Sequence, residues 1–414
     1  VEKICKEAQR YPGYLILGSR KIQKETPFKS KFGNRITRIV YGLITGVHLY
    51  DTQGKKYLDF GAGIAVCALG YSDEEFKNAL KAQIDKATHF SNYFYSEPLM
   101  QAAKCLAEAT GMDKVFMANS GTEANEGALK LARKYAIMQG HEERHEVISM
   151  NKAFHGRSMG ALSVTGTEKY RAPFAPLISG VHFADYNDLD SVKNYINDKT
   201  YAIIVEAVQG EGGIYPADKE FLQGIRDLCT EHDIMMICDE VQCGMGRCGA
   251  LYAHDLYGVK PDVMALAKAL GCGVPVGAFM MTEKVARNSL TSGDHGSTYG
   301  GNPLACAAVS KVIDLFEEEN ILDNVKEVGE YLAGKLDELV LKYDFVKEHR
   351  GLGLLQGLEC DKPVAGIINK ALDKGLLLIN AGTHVIRFIP ALTISKENVD
   401  EMITILDACL AEAE

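Results

Sequence analysis

Asp262-Val263-Met264-Ala265-Leu266-Ala267-Lys268 is a short apolar run that closes on a lysine, and Gly271-Cys272-Gly273-Val274-Pro275 follows it. Upstream, Ile234-Met235-Met236-Ile237-Cys238-Asp239-Glu240 is a second apolar run, and it closes on carboxylates. A lysine at the end of a buried strand is costly unless it is paired or chemically used. Lys268 and Asp239 therefore form a structural ion pair or take part in chemistry. Similar apolar runs lie at Val115 to Ala118, His145 to Met150, Tyr201 to Val205 and Val276 to Met281, with helical patterns between them. Continuous apolar strands separated by helices predict an α/β fold with a mainly parallel sheet buried on both faces. Ligands of such sheets bind at the carboxyl ends of the strands.

The pattern changes after Gly300-Gly301-Asn302-Pro303. Two long helices are expected, from Leu304 to about Glu319 and from about Asp323 to Tyr343. Strands are expected over Gly351 to Glu359, Gly375 to Asn380 and Val385 to Ile389. This reads as a smaller α+β domain over residues 305–414. A hairpin with its turn at Gln53-Gly54 is assigned to the same small domain, together with the N-terminal segment, as residues 1–60. Residues 61–304 form the large domain. An amphipathic helix is the expectation for residues 1–38, which mix Lys and Arg with Glu2, Glu7 and Glu25.

The 414 residues are 47% hydrophobic and 24% charged, ordinary for a globular enzyme. The balance of 45 basic and 55 acidic residues, a net charge of −10, argues against a nucleic-acid partner. The 11 cysteines are odd in number, include no CxxC pair and sit largely in apolar runs. That favours reduced thiols and a cytoplasmic setting over a disulfide framework, and no metal site is expected. No apolar run reaches the length of a membrane span.

The motifs between these elements are polar. Asn119-Ser120-Gly121-Thr122-Glu123 joins a strand to a helix, where free N–H groups and the macrodipole suit a phosphate, or where Ser120 is a plain cap. Phe154-His155-Gly156-Arg157 offers an aromatic face for a flat ring and an Arg for a carboxylate. Glu206 follows a strand and needs a cationic partner, for which Arg387 is the candidate. Gln242 lies three residues beyond Asp239, and Thr298 stands beside glycines as a second phosphate contact. A Schiff-base lysine with an Asp for a pyridinium nitrogen marks a pyridoxal 5'-phosphate site.

Together these residues resemble the class III (subgroup II) aminotransferases of fold type I, from about Gly46 to about Ala411. Within that class the sequence is most similar to the N-acetylornithine aminotransferases. Asn119 to Glu126, Gly63 to Val66, Phe154 to Arg157, Asp239 to Arg247, Gly273 to Ala278 and Arg387 to Thr393 carry the likeness, with Ala391 where the family usually has a second Pro. The resemblance implies a Schiff-base role and a proton-moving role for Lys268, and implies that Asp239 keeps the ring nitrogen protonated. It implies that Phe154 stacks on the ring, that Ser120, Gly121 and Thr122 hold the phosphate, and that Gln242 reaches the phenolic oxygen. Thr298 would reach the other subunit's phosphate, so a homodimer completes the site. Arg157 would bind the carboxylate shared by acetylornithine and glutamate. Arg387 would bind the carboxylate of glutamate and 2-oxoglutarate, and Glu206 would neutralise it otherwise.

Sister families limit this reading. Ornithine aminotransferases place a Tyr where this chain has Ile64, so Ile64 points to an acylated or absent α-amine. 4-Aminobutyrate aminotransferases usually have Ala where this chain has Thr122. Succinylornithine enzymes are not separable by these motifs. An epimerase on the same scaffold would not need both Glu206 and Arg387, and a non-catalytic binding protein would not need Lys268. The Asn34 to Arg38 stretch departs from the family pattern.

Overall fold

The computed structural model describes residues 44–51 and 53–413. The amphipathic helix expected before residue 38 and the Asn34 to Arg38 stretch lie outside them. The chain begins with strands β1 (Ile44–Thr45), β2 (His48–Tyr50) and β3 (Lys56–Asp59). β2 and β3 pair antiparallel, with Tyr50 opposite Lys56, as the Gln53-Gly54 turn predicted.

Next come β4 (Lys114–Ala118), β5 (Glu146–Met150), β6 (Val181–Ala184) and β7 (Thr200–Val205). A short ribbon, β8 (Val208–Gln209) and β9 (Tyr215–Pro216), precedes β10 (Met235–Asp239), β11 (Val263–Ala267) and β12 (Gly277–Met281). Seven of these form one sheet in the order β4-β12-β11-β10-β7-β5-β6. Only β12 runs against the others, pairing antiparallel with β11 and with β4. Every residue of β7, β10, β11 and β12 is buried, which explains their unbroken apolar sequences.

Helix Gly121–Met138 lies on this sheet with Ala124, Ala128, Leu131, Ala132 and Tyr135 buried. Its small residues permit close approach. A Cβ at Gly127 would stand 2.2 Å from the Phe279 ring. The five strands β4, β5, β7, β10 and β11 run in one direction, so their carboxyl ends share one edge of the sheet. Asp239 ends β10, and the segments after the other four strands carry Ser120, Phe154, Glu206 and Lys268.

Helices Pro303–Glu318 and Ile321–Lys342 follow, close to their expected bounds. The single strand expected over Gly351 to Glu359 is instead a hairpin of β13 (Val346–Leu352) and β14 (Leu355–Cys360), with Leu352 opposite Leu355. Its turn, Gly353-Leu354, is apolar because Leu354 is buried, and Leu354 N–H donates to the Arg247 carbonyl at 2.9 Å. Gly353 has φ +53°, and a Cβ there would meet the Arg247 oxygen at 2.7 Å. The stretch expected as one strand from Gly375 is also divided. β15 (Leu376–Leu377) pairs parallel with β3, whereas β16 (Ile379–Ala381) pairs antiparallel with β17 (Val385–Phe388). Among the described residues no helix is long and apolar enough to cross a membrane.

Candidate active site

The shared strand edge encloses a cavity of about 440 Å³ lined by Ser120, Gly121, Thr122, Phe154, Asp239 and Lys268, among others. Ser120 caps the helix, its Oγ accepting the Glu123 N–H at 3.3 Å. Gly121 and Thr122 open that helix, so their amides have no intrahelical acceptor and favour an anion. A Cβ at Gly121 would press on Val241 at 2.7 Å. The Thr122 hydroxyl faces the neighbouring loop, accepting the N–H groups of Arg157 at 3.2 Å and Ser158 at 3.1 Å. Gly156 makes that contact possible: its φ is +137°, and a Cβ would stand 2.4 Å from Thr122 Oγ1.

Asp239 sits at the closed end, 3% exposed. Its Oδ2 accepts from Asn125 Nδ2 at 2.7 Å and is 2.8 Å from His155 Nδ1, and its Oδ1 accepts the Val241 N–H at 3.0 Å. Asn125 and His155 were assigned no role from sequence. An Asn on the apolar face of a helix was the available signal, because a buried amide needs partners.

Lys268 follows β11 with φ +52°, a left-handed conformation uncommon for a non-glycine residue and frequent at functional sites. Its side chain reaches the cavity, and it makes no hydrogen bond or ion pair with other described residues. The Lys268–Asp239 ion pair considered from sequence is therefore not formed. Desolvation drives the Lys268 pKa below its ordinary value, against the opposing pull of Glu211 and Asp239.

One assignment needs correction. Glu206 does not pair with Arg387. Arg387, 3% exposed, pairs through Nη1 with Glu211 Oε1 at 2.6 Å and donates to Gln242 Oε1 at 2.9 Å. The β8–β9 ribbon begins directly after Ala207 and carries Glu211 back across the sheet edge, whereas Glu206 stays at the strand end. Burial raises the Glu211 pKa, but the Arg387 guanidinium outweighs that and holds it below the usual range. Arg387 Nε is buried with no hydrogen-bond partner among the described residues. Gln242, expected at a ring oxygen, lines the cavity while accepting from Arg387.

Glu206 instead accepts two backbone amides, Phe154 N–H at 2.9 Å and Gly210 N–H at 3.1 Å. It ties the aromatic wall to the loop that bears Glu211. Burial, reinforced by the Asp239 charge and only partly offset by His155 and the two amides, pushes its pKa up to about 7. A raised carboxyl pKa contributes stability that is present below the ordinary value near 4.5 and lost as pH rises through 7. Glu206→Gln should remove this dependence. The difference in unfolding free energy between variant and wild type, measured by denaturant titration, should move in the variant's favour from pH 4.5 to 7 and then level, a change on the order of 3 kcal/mol. A difference that stays flat across that window would mean that Glu206 is ionised throughout.

Arg157 lines the cavity and is exposed, with no ion pair among the described residues. Ile64 is 48% exposed and does not line the cavity, although its neighbour Val66 does. Thr298 is exposed and lines a different cavity of about 890 Å³, with His89, Asn92, Tyr93 and Ser297.

An anion cradle, a buried carboxylate and an amine that line one cavity fit pyridoxal phosphate. The family model for class-III aminotransferases matches residues 32–410. This chain belongs to the class-III aminotransferases. The aminotransferase is 49% identical over 363 residues to an acetylornithine aminotransferase of Clostridium acetobutylicum, covering 87% of this chain and 94% of that one. It is 45% identical to a succinylornithine transaminase of Yersinia pestis, over 86% and 88% of the two chains. Among solved structures, an amine transaminase of an uncultivated Pseudomonas species, in its PLP-bound form, superposes with a TM-score of 0.88 at 27% identity, covering 95% of this chain and 99% of that one. The fold of this aminotransferase is thus the fold-type-I arrangement expected from its strands and helices.

Proposed function

We propose that this aminotransferase moves the terminal (δ) amino group of N2-acetylornithine to 2-oxoglutarate, giving N-acetylglutamate 5-semialdehyde and glutamate, a step of arginine biosynthesis. Pyridoxal 5'-phosphate is its cofactor. The observation that carries this reading is the buried Arg387–Glu211 pair beside Gln242. A substrate whose reacting carbon bears a carboxylate takes Arg387 from Glu211. A substrate whose reacting carbon bears none leaves the pair closed, so no buried cation is stranded. Arg157 holds the far carboxylate that both substrates possess.

The cofactor, when bound, supplies an electron sink for the pair left as the substrate's C–H bond breaks. Lys268 Nζ would hold the cofactor covalently and, once displaced by the substrate's amine, would be free to carry the proton, a task suited to an amine made less basic by desolvation. Asp239, anchored by Asn125 and His155, places negative charge where it favours a proton on the ring nitrogen. Ser120, Gly121 and Thr122 hold the phosphate, and Phe154 supports the ring. The closed site is a homodimer's, with Thr298 reaching the partner's phosphate. Exposed aromatics support this: Tyr93 and Tyr95 are each 94% exposed, Phe94 69% and Tyr299 61%.

Succinylornithine is the second reading, favoured by the Yersinia relative, because its δ-amine poses the same problem. The test is a set of single half-reactions followed by cofactor absorbance. N-acetylornithine and glutamate should convert fast, and ornithine and 4-aminobutyrate slowly. Faster conversion with succinylornithine would select the second reading. Fast conversion with free ornithine or 4-aminobutyrate would overturn both.

A further inference from the structure

Arg157 reaches the cavity from a loop, and a free arginine carries about 2 kcal/mol of rotamer entropy. Its guanidinium is nonetheless placed. The guanidinium carbon lies 4.1 Å from the centroid of the Tyr170 ring and 5.4 Å from that of Phe154. The two rings meet edge to face, with centroids 5.9 Å apart and planes at 85°. Tyr170 belongs to the short helix Glu168–Arg171 and is not part of the cavity lining. It touches Arg157 and Phe154, which do line the cavity.

We propose that Tyr170 is a positioning residue that sets the carboxylate selectivity of the site by confining Arg157. The inference rests on the reading that Arg157 binds the carboxylate shared by both substrates. The quadrupole of the ring attracts the guanidinium to its face, which leaves the N–H edges free to fork towards a carboxylate. A donor confined before binding loses less freedom when the ligand arrives, so the effect appears in binding rather than in the chemical step. The edge-to-face contact with Phe154 ties the same ring to the wall beside the cofactor.

The test uses the holoenzyme and compares Tyr170→Leu, Tyr170→Phe, Arg157→Ala and the double variant Tyr170→Leu/Arg157→Ala. KM and kcat are measured for N-acetylornithine and 2-oxoglutarate, with half-reaction rates for n-pentylamine, which has no carboxylate. Tyr170→Leu should raise KM for both carboxylate substrates by about 3- to 30-fold, the range for a cation–π contact, and leave kcat within about twofold. Tyr170→Phe, which keeps the ring face, should restore most of that loss. The pentylamine rate should not change, and the double variant should be no worse than Arg157→Ala alone. A raised KM in Arg157→Ala with an unchanged KM in Tyr170→Leu would overturn the role of Tyr170 and leave that of Arg157 standing. An Arg157→Ala variant with unchanged KM would overturn both. An additive loss in the double variant, or an equal loss with pentylamine, would show that Tyr170 acts through Phe154 or the fold and would overturn the proposal.

Discussion

Lys268→Ala is expected to lower the turnover of this enzyme by at least about 10⁴-fold, because one substitution removes both the covalent anchor and the proton carrier. The cavity should survive. The first-turn amides of Gly121 and Thr122, the Ser120 cap and the Asp239 carboxylate all belong to other segments. The variant should therefore still retain cofactor through dialysis, but without the absorbance of the lysine-bound form. Single-turnover mixing with N-acetylornithine checks this directly. Conversion at more than about one per cent of the wild-type rate would remove Lys268 from the role given to it.

The second large effect concerns Arg387 and Glu211. Arg387→Ala should cut kcat/KM for 2-oxoglutarate by roughly 30- to 5,000-fold, equivalent to about 2–5 kcal/mol for losing one partner of a buried charge contact. The amine half-reaction should suffer less. Glu211→Ala should act in the opposite sense. With its counter-ion gone, Arg387 stays compensated only while a substrate carboxylate occupies it, so the acetylornithine half-reaction should slow more than the glutamate half-reaction. Measuring both half-reactions in both variants gives a crossed pattern. Equal losses in all four would mean that the pair is structural and that the two substrates are not told apart there.

The strands that carry the site were legible because burial on both faces leaves an unbroken apolar run, as in β10 and β11. Lys268, Asp239 and the Ser120 to Thr122 turn were legible because each polar group interrupts such a run at its end. Glu211 was not. It lies five residues beyond Glu206 in a glycine-rich stretch, and only the path of the β8–β9 ribbon decides which carboxylate meets Arg387. His155 was hidden for a related reason, since its contact with Asp239 joins a loop to a strand end 84 residues away. The β13–β14 turn was missed because Gly353-Leu354 is apolar, with Leu354 buried, rather than polar and exposed. Val181–Ala184 was missed because an edge strand that is only partly buried has no continuous apolar signature.

The strand order has a consequence for how the protein reaches its active state. Ser120 and Lys268 lie 148 residues apart in the chain, yet they face one cavity because β12 is inserted between β4 and β11. The spacing between the phosphate cradle and the reactive amine is therefore set by a strand from residues 277–281 that pairs with two partners made earlier in the chain. Such non-local pairing is slow to form, because loop closure comes before the contacts that reward it. A nascent chain that ends before β12 lacks the strand that sets the spacing between β4 and β11. Binding of the cofactor to the finished cavity thus adds its free energy to the complete central sheet and weights that final arrangement over every earlier one.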